Sequence, residues 1–372
     1  MVSANCVVGT EAVRCCAAGS DVTRAIHVGP EAGKLLLASV DRPYMSETDG
    51  TRSDERPDVL VLRQGTHGIP VEEYTDAIRT RLPDRTVALA RTPAEERSMI
   101  QDAPFVTGMV LDEDLLAAAE DLEVFACAYA GTDHLPMEVL AERSVTVTNA
   151  SGVHGPNMGE HAVGSILYFT RRFHVAGRRQ RRREWRHYKA RELQESTVTI
   201  VGLGAIGQAV AERLEPFGVE TVGVRYTPSK GGPTDEVVGF DGDAFHDALA
   251  RTDYLVLACP LTETTRGLVG FEAFTTLDPD AVVINVARGP VVDTEALVDA
   301  LRREQIRGAS LDVTDPEPLP EDHPLWNFGN VQITPHNAGH TPKYYDRLAD
   351  IVAENARRFY DDGGTLRNEV EL

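Results

Sequence analysis

Gly202, Gly204 and Gly207 stand in the spacing Gly-x-Gly-x-x-Gly, whose chemistry is the cradling of a pyrophosphate. Residues 197–201 before it read as a buried strand, and residues 208–214 after it as a helix. In that context the first glycine permits a tight turn, the second lets backbone approach the phosphates, and the third lets helix and strand pack closely. The free N–H groups of the helix N-terminus then point at the ligand. Glycine turns elsewhere serve packing alone; the two flanks make dinucleotide binding the reading here. A second strand, 221–224, runs into Arg225-Tyr226 at the place, roughly twenty residues on, where a carboxylate ordinarily holds the adenine ribose hydroxyls. A guanidinium suits a 2′-phosphate instead, through a charge-assisted fork, and Lys230 follows in the same loop. We expect NADP(H) to be preferred and NAD(H) to be admitted. The alternative is that Arg225 stacks on adenine and either cofactor binds.

These groups must be positioned by α/β units. Strand candidates at 59–62, 86–90, 105–108, 123–126 and 144–148 alternate with helical patterns such as 114–120, and form one unit ending near Gly152. A long helix is predicted from about 157 to 174. A second unit has strand candidates at 197–201, 221–224, 254–259, 281–286, 308–311 and 331–334. Their near-continuous apolar character predicts a parallel sheet covered on both faces. Residues 343–360 read as a closing helix.

The chain of 372 residues has 42% hydrophobic residues and a formal net charge of −21, which suits two globular domains. No apolar run reaches the ~18 residues of a membrane helix, and no secretory signal pattern opens the chain. The five cysteines show neither metal-ligand spacing nor a paired framework, so no metal and a reducing cytoplasm are expected. Only Lys34, Lys189, Lys230 and Lys343 are lysines. So acidic a surface repels itself unless salt screens it, and we read it as adaptation to a salty cytoplasm; an acidic protein of a GC-rich genome is the plainer reading. The charge argues against general nucleic-acid binding. Ten basic residues nevertheless lie between Arg171 and Arg191. We read them as a solvated or subunit-facing arm, with a nucleic-acid contact as the other reading. Residues 1–57 read as a disordered leader. Residues 1–44 differ in composition and carry no net charge, so we expect translation to start at Met45, with a genuine disordered leader as the other reading.

Four motifs follow in order: the glycine turn, Asn285-Val286-Ala287-Arg288-Gly289, Leu311-Asp312-Val313-Thr314-Asp315-Pro316-Glu317-Pro318, and Thr334-Pro335-His336. With these the chain resembles the D-isomer-specific 2-hydroxyacid dehydrogenases from about Asp58 onward, and closely resembles their haloarchaeal members. The resemblance implies an α/β fold of two doubly wound parallel-sheet domains. A Rossmann dinucleotide-binding domain, 153–340, is inserted into a flavodoxin-like substrate domain, 58–152 plus 341–372. It implies a catalytic set of Arg288, Glu317 and His336. Reduction of a 2-keto acid needs a proton for the carbonyl oxygen. An imidazolium supplies it, a carboxylate stabilises and orients the ring, and a permanent guanidinium binds the substrate carboxylate and polarises the keto oxygen.

Further roles carried by the resemblance are cofactor contacts at Ala205, Ile206, Pro260, Val286, Ala287, Asp312 and Gly339. Asp312 would hold the nicotinamide carboxamide. Tyr129-Ala130-Gly131-Thr132-Asp133 matches a loop whose backbone N–H groups grip the substrate carboxylate, with Ala130 and Gly131 as candidates. Glu317 sets the chain apart from related formate dehydrogenases, which carry glutamine there. A homodimer through the nucleotide domain is implied, with no nucleic-acid or membrane partner. With only a short segment after the closing helix, we expect no regulatory C-terminal domain of the kind that some phosphoglycerate dehydrogenases carry. The expected activity is a D-2-hydroxyacid dehydrogenase or 2-keto acid reductase. The alternatives are a phosphoglycerate or glyoxylate/hydroxypyruvate reductase of the same mechanism, and a dinucleotide-sensing interaction protein without turnover.

Overall fold

In the computed structural model, residues 56–66 and 68–370 are described. The leader at 1–44 and the start at Met45 lie outside these residues. Two all-parallel sheets organise the described chain. The first has β1 (Val59–Val61), β2 (Val87–Leu89), β3 (Phe105–Gly108), β4 (Val124–Cys127) and β5 (Thr146–Thr148) in the order β2-β1-β3-β4-β5. The second has β6 (Thr197–Val201), β7 (Glu220–Val224), β8 (Glu236–Val238), β9 (Tyr254–Leu257), β10 (Val282–Asn285), β11 (Gly308–Leu311) and β12 (Val331–Ile333) in the order β12-β11-β10-β9-β6-β7-β8. These are the flavodoxin-like and Rossmann-like windings, and each reverses its strand order once. Register follows from apolar content. Val198, Ile200, Leu255, Val256, Val283 and Ile284 are fully buried, and β6, β9 and β10 pair side by side.

The closing helix, Tyr344–Arg357, returns the chain to the first sheet. It packs on the Val71–Arg81 helix, and Leu348, Ile351 and Val352 join the apolar cluster of Val59, Val61 and Phe105. Burying each such side chain contributes about 1.5–3 kcal/mol.

Two elements differ from the sequence expectation. β8 has no counterpart in it. This short edge strand is only half buried, so its residues carry no continuous apolar signal. The helix predicted over 157–174 is two helices, Gly155–Thr170 and Phe173–Arg181, separated by Arg172 in a left-handed conformation at φ 55°. The buried Thr170 hydroxyl donates to Ile166 O and pairs with Tyr254 Oη at 2.7 Å, anchoring the end of the first helix.

Beyond the break His174 packs against Tyr168 and Phe169, with ring centroids 5.7 and 5.4 Å away. Burial, reinforced by the guanidiniums of Arg178, Arg172 and Arg307, pushes its pKa down to about 4. An unfolded histidine titrates near 6.5. The neutral ring therefore contributes stability that is present above about pH 6.5 and lost as pH falls toward 4. His174→Phe is expected to lose less of its melting temperature between pH 7 and pH 4.5 than the parent protein. Equal losses would refute a role for this histidine.

Candidate active site

Because all strands of the second sheet are parallel, their carboxyl ends lie along one edge. The expected nucleotide and catalytic residues follow those ends in turn: Gly202 after β6, Arg225 after β7, Pro260 after β9, Val286 after β10, Asp312 after β11 and His336 after β12. The reversal of strand order falls between β6 and β9, beside the glycine turn, where open α/β sheets take their ligands.

Each glycine of the turn has a separate steric reason. Gly202 has φ 95°, and a Cβ there would lie 2.7 Å from Cys259 Cα. A Cβ on Gly207 would overlap the carbonyl oxygen of Gly202. Gly204 faces open space, with no atom within 4 Å of a built Cβ. It caps the ten-residue helix Ala205–Leu214, which has no side-chain cap and no acidic residue in its first turn. Helix N–H groups and dipole are thus left for an anion, beside exposed Ala205 and half-buried Ile206. This cradle fits a dinucleotide pyrophosphate. Arg225 closes the next loop: its Nη1 donates to Gly231 O at 2.6 Å, one residue after exposed Lys230. Tyr226 is exposed.

His336 and Glu317 meet directly, with Nδ1 2.6 Å from Oε1. His336 has φ 52°, a left-handed conformation that a side chain bearing Cβ adopts at a cost. The surrounding hydrogen bonds hold it there. His336 N donates to Asp312 O at 2.8 Å. The buried Asp312 carboxylate accepts from Thr334 Oγ1 (2.6 Å), Asn337 N (2.8 Å) and Ala338 N (2.9 Å). Asp312 is therefore seated beneath the His336 loop as its clamp, with both carboxylate oxygens engaged by that loop.

Arg288 is exposed in extended backbone after β10, and its Nη1 donates to Ala287 O at 2.8 Å. Its loop lies against the one bearing Glu317. A Cβ on Gly289 would overlap Thr314 O, and Thr294 Oγ1 donates to Asp315 O at 2.9 Å. Val286 and Ala287 are buried, Pro260 is exposed, and Gly339 is half-buried beside the His154 ring. Ala130 and Gly131 are exposed after β4 on the first sheet, where Asn149 Nδ2 donates to Ala130 O at 2.9 Å.

Several positioning residues escaped the sequence reading. Asn285 bridges the Arg288 loop, accepting from Ala287 N and donating to Arg288 O, both at 3.0 Å. A buried asparagine ending an apolar strand was the available signal. Asn157 Nδ2 donates to Ala338 O at 2.7 Å, and Arg347 Nη1 donates to Val153 O and Asn157 Oδ1. Tyr344 Oη donates to Ala128 O. The His336 loop is thereby tied to the start of the Gly155–Thr170 helix, and the closing helix to the end of β4.

The family model described as "D-isomer specific 2-hydroxyacid dehydrogenase, NAD binding domain" matches residues 163–338. The glyoxylate reductase of Thermofilum pendens is 36% identical over 252 residues, covering 66% of this chain and 74% of that one. The D-3-phosphoglycerate dehydrogenase of Mycobacterium leprae is 35% identical over 300 residues, covering 77% of this chain and 55% of that one. The chain thus spans about half the length of that relative. Among solved structures, the D-isomer specific 2-hydroxyacid dehydrogenase of Xanthobacter autotrophicus Py2, in complex with NADPH and MES, superposes with a TM-score of 0.71 at 28% identity, covering 85% of this chain and 98% of that one.

Proposed function

We infer the activity from one premise: the chain belongs to the D-isomer-specific 2-hydroxyacid dehydrogenase family. The protein is then an NAD(P)-dependent oxidoreductase that interconverts a small 2-keto acid and its D-2-hydroxy acid. The observation that carries this reading is the 2.6 Å His336–Glu317 pair on the same sheet edge as the glycine cradle. Gly202, Gly204, Gly207 and the N-terminus of the Ala205–Leu214 helix would hold a reduced dinucleotide, which would supply the hydride for the keto carbon. His336 donates a proton from Nε2 to the keto oxygen, while its Nδ1–H donates to Glu317 and fixes the ring. Arg288 forks the substrate carboxylate and polarises the oxygen that receives the proton. In the oxidative direction His336 takes the hydroxyl proton instead.

NADP(H) is the preferred cofactor in this reading, because Arg225 stands after β7 in place of a carboxylate and Lys230 follows in the same loop. The Xanthobacter relative's NADPH complex accords with it. Arg225→Asp is expected to lower the ratio of NADPH to NADH efficiency at least ~10-fold, since one charge-assisted fork is replaced by repulsion. An unchanged ratio would sink the assignment. The basic Phe173–Arg181 helix and the segment after it, with Trp185 fully exposed, form the contact face for a second copy in this reading.

A panel of simple 2-keto acids with both cofactors, followed at the nicotinamide absorbance, tests the activity. Turnover of at least one acid is expected. No turnover across the panel, despite dinucleotide binding, would favour a cofactor-sensing role.

A further inference from the structure

The reductase reading leaves the substrate's side chain unassigned, and the carboxyl edge of the β1–β5 sheet carries residues that assign it. The strand order of that sheet reverses between β1 and β3, so the loops after β1, β3 and β4 border its ligand crevice. These loops are fastened to one another and to the closing helix. His134 Nε2 lies 2.8 Å from Met109 O, joining the loops after β4 and β3. The His134 ring meets Tyr129 edge-on at 5.3 Å. Thr66 N, after β1, donates to Tyr345 Oη at 2.8 Å, one residue from the Tyr344 hydroxyl that reaches Ala128 O.

On this edge the chain exposes Val110 (39%) and Tyr129 (40%), the two exposed large apolar side chains among the described residues of 56–153. A single exposed apolar residue needs no explanation. Two of them, on the ends of neighbouring strands at a ligand crevice, make an apolar rim of the kind that lines small-molecule sites. The charge on the same edge points the same way. The loops after β3 and β4 carry Asp112 and Asp133 and no lysine or arginine. Arg63, after β1, gives its Nε–H and its backbone N–H to the two oxygens of Glu96, each at 2.9 Å. Its charge is matched locally by a nearly buried carboxylate. On the loops after β1, β3 and β4 a phosphorylated side chain would meet two carboxylates, and Arg63, the arginine that those loops carry, is already paired with Glu96.

Resting on the reductase reading, we propose that Val110 and Tyr129 form a side-chain subsite for neutral, apolar or aromatic 2-keto acids, and that phosphorylated 2-keto acids are poor substrates. The test uses the full chain with NADPH and NADH, and compares glyoxylate, 4-methyl-2-oxopentanoate, phenylpyruvate and 3-phosphohydroxypyruvate. The better apolar acid is expected to exceed the phosphorylated one at least ~100-fold in kcat/KM. In Val110→Asp and Tyr129→Ser, the ratio of kcat/KM for that acid to kcat/KM for glyoxylate, which has no side chain, is expected to fall ~10-fold or more. A merely structural role would lower both acids together and leave the ratio in place. Preference for the phosphorylated acid overturns the proposal, as does a ratio unmoved in folded variants. Should a variant fail to fold, the parent protein's own ranking of the four acids decides. Turnover of glyoxylate without gain for the apolar acids overturns the subsite alone. No turnover of any acid overturns the reductase reading, and the subsite with it.

Discussion

His336→Gln is expected to lower kcat for keto-acid reduction by about 10²–10⁴, the range that a positioned proton donor contributes. Dinucleotide affinity, read by fluorescence titration, is expected to hold. The cradle that binds the pyrophosphate is built from Gly202, Gly204, Gly207 and the N-terminus of the Ala205–Leu214 helix, and His336 belongs to the separate loop after β12. Glutamine keeps a hydrogen-bonding group in a similar volume but cannot deliver a proton, so the variant isolates the chemistry from the packing. Glu317→Gln is expected to fall between parent and His336→Gln. It preserves an acceptor at the 2.6 Å contact with Nδ1 while removing the charge that favours an imidazolium. A His336→Gln enzyme with unimpaired kcat would remove the proton donor from the mechanism.

The same loop shows where sequence reading reaches its limit. His336 and Glu317 were legible because motif order and spacing carry them, and an imidazole beside a carboxylate has an evident use. The clamp that makes them usable was not. Asp312 accepting from Thr334, Asn337 and Ala338 depends on which strand ends are neighbours, and β11 beside β12 is a fact of topology. The left-handed backbone at His336 has no sequence mark, since glycine is the usual sign and histidine stands there. The break at Arg172 is hidden for the same reason. Parallel strands, by contrast, announce themselves as apolar runs, so eleven of the twelve strands among the described residues match the expectation, the half-buried edge strand β12 included. The twelfth, β8, was missed: it opens on exposed Glu236 and leaves only two half-buried valines as a signal. The Gly289 contact with Thr314, which brings the Arg288 loop against the Glu317 loop, is legible in neither motif alone.

That contact frames the second large effect. Arg288→Met is expected to lower kcat/KM for 2-keto acids by about 10²–10³, as loss of a preorganised cation at developing charge ordinarily does. Most of the loss should appear in KM if Arg288 chiefly binds the carboxylate, and in kcat if it chiefly polarises the keto oxygen. Arg288→Lys separates the two contributions further. A lysine keeps the charge but not the planar fork, so it should recover little of the carboxylate binding and more of the polarisation. The backbone gives the arginine a stable seat for this work. Asn285 holds the carbonyl of Arg288 and the amide of Ala287, while the guanidinium itself is exposed and donates to Ala287 O at 2.8 Å. Substituting the side chain therefore leaves the loop's own hydrogen bonds intact, and the melting temperature is expected to stay near that of the parent. A folded Arg288→Met enzyme with undiminished kcat/KM would show that the substrate carboxylate is held elsewhere. Ala130 and Gly131, exposed after β4, would then be the groups to test.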